Sequence, residues 1–270
     1  MIQFKDRHTT VFQSALFQTT ATVVETADLL LVVDPNWLPE EVLAIRRYVD
    51  ELLAERQRPV FLLFTHSDYD HVIGYRAFPE ATVIASRAFV ENPDKQAVLE
   101  QILTWDDENY VCRSYPIEYP MPNILVKKDR QTLEAGGTKL TFYLAPGHNR
   151  DGIFTLVEPV GVWLAGDYLC EVEFPYIYFS SKAYEQTLAK VDGILERHEV
   201  RLLVPGHGKV ATEREDILAR KNEALGYVQE LRQCLAEGRE FEVEKLWRRY
   251  KFPRGMRKFH EENVALMRKE

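Results

Sequence analysis

The stretch Pro59-Val60-Phe61-Leu62-Leu63-Phe64-Thr65-His66-Ser67-Asp68-Tyr69-Asp70-His71 joins an apolar run to four potential metal ligands within six residues. The apolar part, preceded by polar Arg56-Gln57-Arg58, reads as a short buried strand. The ligand part cannot be a helix that gathers its side chains at one point, because positions offset by two and five face different directions. A loop is expected at 66–71, then a short helix over 72–78 ending before Pro79. A strand end that feeds such a loop is where open sheets place their chemistry. The competing reading of the same residues is a solvated turn in which an aspartate caps the helix.

Three further segments tip the balance. Leu144-Ala145-Pro146-Gly147-His148 follows the strand-like Lys139-Leu140-Thr141-Phe142-Tyr143, so a second histidine motif stands at a strand end. Val162-Trp163-Leu164-Ala165-Gly166-Asp167 is an apolar strand ending in an aspartate, and Arg201-Leu202-Leu203-Val204-Pro205-Gly206-His207-Gly208 repeats the device with another histidine. Of the 7 histidines, four fall in these motifs; His8, His198 and His260 do not and are read as surface or core residues.

The order of these segments resembles the metallo-β-lactamase superfamily, whose pattern is a His-x-His-x-Asp-His loop, then a lone His, a lone Asp and a final His. The resemblance runs from about Thr20 to Gly208 and includes Leu29 to Asp34, similar to the early strand whose aspartate braces the metal loop. It implies an α/β fold, a four-layer αββα sandwich over residues 1–212, with a C-terminal helical extension, 213–270, packed on the same domain. It further implies that His66, Asp68 and His148 hold one metal, that Asp70, His71 and His207 hold a second, and that Asp167 bridges them. Position 68 departs from the commonest pattern, which has His there; Asp remains a competent ligand.

That departure changes the charge of the centre. The carboxylates of Asp68, Asp70 and Asp167 with a bridging hydroxide would neutralise two divalent ions, whereas His at 68 would leave one net positive charge. The extra carboxylate should make the metals weaker Lewis acids and let the site tolerate manganese or iron as well as zinc, which is expected first. Function then reads as a dinuclear metal-dependent hydrolase whose metal-bridging hydroxide attacks an ester, thioester, lactone or phosphodiester, with Asp70 orienting the water and shuttling its proton. Two alternatives stay open. One is a diiron redox protein, because flavodiiron oxygen reductases of the same superfamily carry Glu in the slot of Asp68; the other is a non-catalytic metal-binding protein.

Composition agrees with an enzyme acting on a small molecule. With 270 residues and 46% hydrophobic content the chain can bury a substantial core. A formal net charge of −8 argues against nucleic acid as the main ligand. The basic, aromatic stretch from Trp247 to Lys258 is flanked by Glu242, Glu244, Glu261 and Glu262, and is read as a solvated or homodimer-facing helix end. Cys112, Cys170 and Cys234 have no paired spacing, and no segment has the length of a membrane span or the apolar core of a signal peptide, so a cytoplasmic protein is expected. Two aromatic stretches, 105–122 and 173–179, are candidate loops for the substrate pocket. Strands are expected between Val11 and Val33, at 81–85 and between Leu133 and Trp163, and helices over 39–56, 92–104, 181–198, 213–237 and beyond Glu242.

Overall fold

The computed structural model describes residues 1–270. The first half builds a seven-stranded sheet in chain order: β1 (Ile2–Lys5), β2 (Thr9–Gln13), β3 (Thr20–Glu25), β4 (Leu30–Val33), β5 (Val60–Leu63), β6 (Thr82–Ser86) and β7 (Ile124–Val126). β1 to β4 pair antiparallel, and β4 to β7 pair parallel. The parallel crossovers carry α1 (Pro39–Glu55), α2 (Tyr69–Val72), α3 (Arg87–Val90) and α4 (Lys95–Glu108). The second half gives a five-stranded sheet of order β12-β11-β10-β9-β8, from β8 (Gln131–Ala135), β9 (Thr138–Leu144), β10 (Ile153–Glu158), β11 (Val162–Leu164) and β12 (Leu202–Val204). Its helices are α5 (Ser181–Leu188), α6 (Lys190–Arg197), α7 (Arg214–Glu237), α8 (Val243–Arg249) and α9 (Pro253–Met267).

Side-chain alternation turns these elements into four layers. In β4 every residue is apolar because both faces are covered. Leu30 and Val32 pack with Val42, Ile45, Val49 and Leu52 of α1, while Leu31 and Val33 face the other sheet. Leu62 and Leu63 of β5 divide the same way. Leu140, Phe142, Ile153, Val157, Leu164 and Val204 meet them from the second sheet, forming the core between sheets. The outer face of that second sheet, including Phe154, Leu156 and Trp163, is covered by α5, α6, α7 and α9. This is the αββα sandwich with a helical C-terminal region that the sequence predicts.

Local departures follow from caps and packing. The helix expected over 72–78 starts earlier: α2 opens at Tyr69, and residues 75–77 form a separate 3-10 turn. Asp70 and His71 therefore stand in a helical turn instead of the expected loop, with extended Asp68 at the N-cap. The helix expected over 181–198 is two, α5 and α6, which meet at Ala189, the cap of both. Trp105 to Glu108 belong to the last turn of α4 instead of a loop, while Tyr115 is buried in the core beneath α1 and α4. No helix is long and apolar enough to cross a membrane.

Candidate metal centre

The centre forms where strands end. β4 and β5 run parallel, as do β11 and β12, so the segments that follow them meet at one rim. Asp34, directly after β4, accepts from the Thr65 amide at 2.9 Å with Oδ1, and its Oδ2 accepts the Thr65 hydroxyl and the His71 Nδ1–H at 3.0 Å. It thus braces the ligand loop. β3 is tied to the last motif: the Thr20 amide donates to the Gly206 carbonyl at 2.7 Å, and Thr19 pairs with His207.

All seven residues singled out in the sequence converge. Asp167 lies at the middle: its Oδ2 is 3.6 Å from His66 Nε2, 3.3 Å from His148 Nε2 and 3.2 Å from His207 Nε2. Its Oδ1 is 3.2 Å from His71 Nε2. Asp68 Oδ2 lies 3.1 Å from His148 Nε2, and Asp70 Oδ2 lies 3.7 Å from both His71 Nε2 and His207 Nε2. His66, Asp68, His148 and Asp167 form one group able to hold a cation, and Asp70, His71 and His207 a second. His8, His198 and His260 lie elsewhere, bonded to the Glu25 carbonyl, to Tyr143 and Glu158, and to Tyr227 respectively.

The imidazoles are oriented from behind. His148 Nδ1 donates to the Tyr176 carbonyl at 2.6 Å, His207 Nδ1 to the Phe17 carbonyl at 3.0 Å, and His71 Nδ1 to Asp34. The Thr65 hydroxyl donates to Asp34, which leaves its lone pair for His66 Nδ1–H at 2.9 Å. With every outer nitrogen used as a donor, each Nε2 faces inward, the orientation a cation requires once it displaces any proton there. His66 Nε2, His71 Nε2 and Asp167 Oδ1 are buried with no hydrogen-bond partner. Orphaned buried polar atoms are costly, and three of them facing one another fit a metal-bound state. Asp68 adds a second sign. Although it is the N-cap of α2, its side chain makes no bond to the helix amides; Asn149 Nδ2 donates to its Oδ1 at 3.2 Å and its Oδ2 faces His148. The solvated helix cap considered for this segment is therefore set aside.

Electrostatics point the same way. Burial pulls His148 and His207 down, but hydrogen bonds and charge from Asp68 and Asp167, with Glu173 and Asp70 adding at His207, hold them up at about 9 and about 10. His71 is likewise held well above the ordinary histidine value against burial, chiefly by Asp167 and Asp70. Burial raises Asp167, yet His207, His71 and His66 draw it well below the carboxylate range. These opposed shifts pair protonated imidazoles with carboxylates when no cation is present; a bound metal would displace the protons.

The arrangement matches a known superfamily along most of the chain: the family model described as Metallo-beta-lactamase superfamily matches residues 15–207. The chain belongs to that superfamily. Its members are typically dinuclear metal hydrolases that bind divalent ions, usually zinc. A metallo-beta-lactamase from Pontibacter korlensis is 15% identical, with a TM-score of 0.57 over 85% of this chain and 98% of that one. A metallo-beta-lactamase family protein from Thermus thermophilus is 21% identical, with a TM-score of 0.58 over 84% of this chain and 81% of that one. The sec-alkyl sulfatase PisA1, as a double mutant, gives a TM-score of 0.65 at 14% identity, over 87% of this chain and 42% of its own. At these identities the likeness shows the fold. No curated protein matches the chain.

In this metallo-beta-lactamase fold a cleft of about 990 Å³ adjoins the centre at Asp68 and is lined by Asn149, by residues of α4, by Tyr176, Tyr178 and Phe179, and by Lys258 and Phe259 of α9. Of the two aromatic stretches, 173–179 thus supplies the pocket wall through Tyr176, Tyr178 and Phe179, whereas the 105–122 stretch contributes only Trp105 and Glu108 of α4. Three residues here have roles beyond the sequence reading, which places Glu173 and Tyr178 only in a candidate pocket loop and does not single out Thr19. Glu173 stands with Asp167 and His207 as a further group able to hold a cation, and burial pushes its carboxyl up to about 6. The Thr19 hydroxyl donates to Asp70 Oδ2 at 3.1 Å. Tyr178 OH lies 3.5 Å from His148 Nε2, with its proton held by burial and by Asp68.

Proposed function

We propose that this chain is a dinuclear metal-dependent hydrolase of small esters, thioesters, lactones or phosphodiesters. In this reading His66, Asp68 and His148 hold one divalent ion, Asp70, His71 and His207 the other, and Asp167 both; zinc is expected, with manganese or iron as alternatives. The observation that carries it is the ring of four imidazoles, each tied from behind, around Asp167, whose Oδ1 is buried without a hydrogen-bond partner. Two bound divalent ions would activate a water and polarise the oxygen of a carbonyl or phosphoryl centre. Asp70 would orient that water: Thr19 donates to its Oδ2, and its carboxylate would take a proton from the water and pass it to the leaving group. Tyr178 faces the same space with its phenol protonated, placed to donate to the oxygen that gains charge.

Residues 1–212 form the catalytic unit in this proposal, and 213–270 an extension packed on it. The three cysteines are unpaired, which suits a cytoplasmic protein. The test is a metal-quantified preparation assayed against ester, thioester, lactone and phosphodiester panels before and after chelation. Turnover that disappears with chelation and returns with zinc or manganese is the expected result. A sample holding two metals that is inert across every panel overturns the hydrolase. Asp68 and Glu173 bring the carboxylates around the site to four, with Asp70 and Asp167, which favours the diiron redox protein as second reading; oxygen consumption by the iron-loaded protein with an electron donor separates the two.

A further inference from the structure

The C-terminal helix α9 does not simply lean on the domain. Asn263 is fully buried. Its Oδ1 accepts the Ile177 amide at 2.8 Å, and its Nδ2 donates to the Pro175 carbonyl at 2.6 Å and to Tyr227 OH at 3.0 Å. The Ile177 amide and the Pro175 carbonyl are backbone groups on both sides of Tyr176, while Tyr227 ties Asn263 to α7. The Tyr176 ring is stacked onto Phe259 of α9 at 4.2 Å between centroids and 7° between planes, and its hydroxyl donates to Glu262. Held this way, the Tyr176 carbonyl takes the His148 Nδ1–H at 2.6 Å, and the strap continues by pairing the Tyr178 amide with the His148 carbonyl at 3.0 Å and the Ser180 amide with the Gly147 carbonyl at 3.1 Å.

We infer that Asn263 is a positioning residue for the metal centre: α9 clamps the 175–177 strap so that the Tyr176 carbonyl fixes the tautomer and direction of His148. The inference rests on the dinuclear reading above and deepens it. It assigns a role to the helical extension, since the backbone acceptor behind His148 is set by a residue 86 positions beyond Ile177. Phe259 and Lys258 of the same helix also line the cleft, so the helix that orients a ligand also walls the substrate space. The other imidazoles are braced from Asp34, Thr65 and Phe17, outside α9 and its strap.

The clamp predicts an effect confined to one metal. In a cobalt titration of the full-length, metal-stripped protein, the wild type takes up two equivalents. Asn263→Ala weakens one of them by up to about 10-fold, less than removing the outer partner of a metal-bound histidine itself would cost because the Tyr176 carbonyl remains, and leaves the other unchanged. The affected equivalent is the one that His148→Ala abolishes, and its visible absorption changes while that of the other does not. Phe259→Leu and Glu262→Gln loosen the strap from its solvent side, give smaller losses of the same equivalent, and stand in if Asn263→Ala does not fold. Equal weakening of both equivalents, or of neither, overturns the clamp while leaving the dinuclear centre intact. A wild type that binds no cobalt overturns both.

Discussion

Asp167 shows how one side chain decides the character of the centre. Its carboxylate lies within 4 Å of four imidazole Nε2 atoms, so in the proposed dinuclear centre its removal would take a ligand from both cations at once. Asp167→Ala is expected to lose both metal equivalents and to lower turnover more than about 100-fold; two metals by elemental analysis with normal turnover would refute the bridging role. Asp68 is subtler. Its carboxylate faces His148 and is held by Asn149, and histidine there would remove one negative charge and one hard oxygen donor. Asp68→His should therefore keep the fold and raise the preference for zinc over manganese several-fold in a competition assay. An unchanged preference would count against the charge argument.

At the scale of elements, the centre depends on close approach between strand ends. A Cβ on Gly206, just past β12, would overlap the Asp167 carboxylate and stand 3.0 Å from the Gly166 backbone. The Gly206 amide meanwhile donates to the Gly166 carbonyl at 2.6 Å, stitching the two ligand turns together. Gly206→Ala is thus expected to cost about 1–3 kcal/mol of stability through overpacking and to weaken metal binding together with it. Denaturant midpoints and metal titration check both; normal metal affinity in the variant would show that the two turns are not rigidly coupled. The same reasoning applies to α2, whose single turn sets Asp70 and His71 after a capping residue that gives its carboxylate to the cluster instead of the helix.

The whole molecule feels the centre through its protons. In the metal-free protein His148 and His207 sit at about 9 and about 10, raised from the ordinary histidine value of 6.5. A raised histidine stabilises fully below its unfolded value, and that stabilisation is lost as pH climbs through the folded values. The melting temperature of chelated protein should therefore fall between about pH 6.5 and pH 10. Metals replace those protons, so the stabilisation gained on adding zinc should grow across the same window and with metal concentration. A chelated protein whose melting temperature is flat over that range would mean that the cluster is not the proton store described above.

Much of this was legible along the chain, and the parts that were share a cause. Strands covered on both faces are largely apolar, and the candidate ligands sit in the turns that follow β4, β5, β9, β11 and β12, so Asp34, His66, Asp68, Asp70, His71, His148, Asp167 and His207 can be read locally, and their order points to the superfamily. The αββα layering follows from the same alternation. What only the tertiary structure decided is which atoms face inward and what holds them. Glu173, Thr19 and Tyr178 reach the centre from turns with no periodic signature, and the Asp68 carboxylate turns away from a helix it could have capped. Asn263 acts on His148 through the Tyr176 backbone, across a chain separation that no local pattern encodes. Ligand type and strand polarity are properties of short segments, whereas hydrogen-bond direction and clamping are properties of surfaces that exist only once those segments are packed.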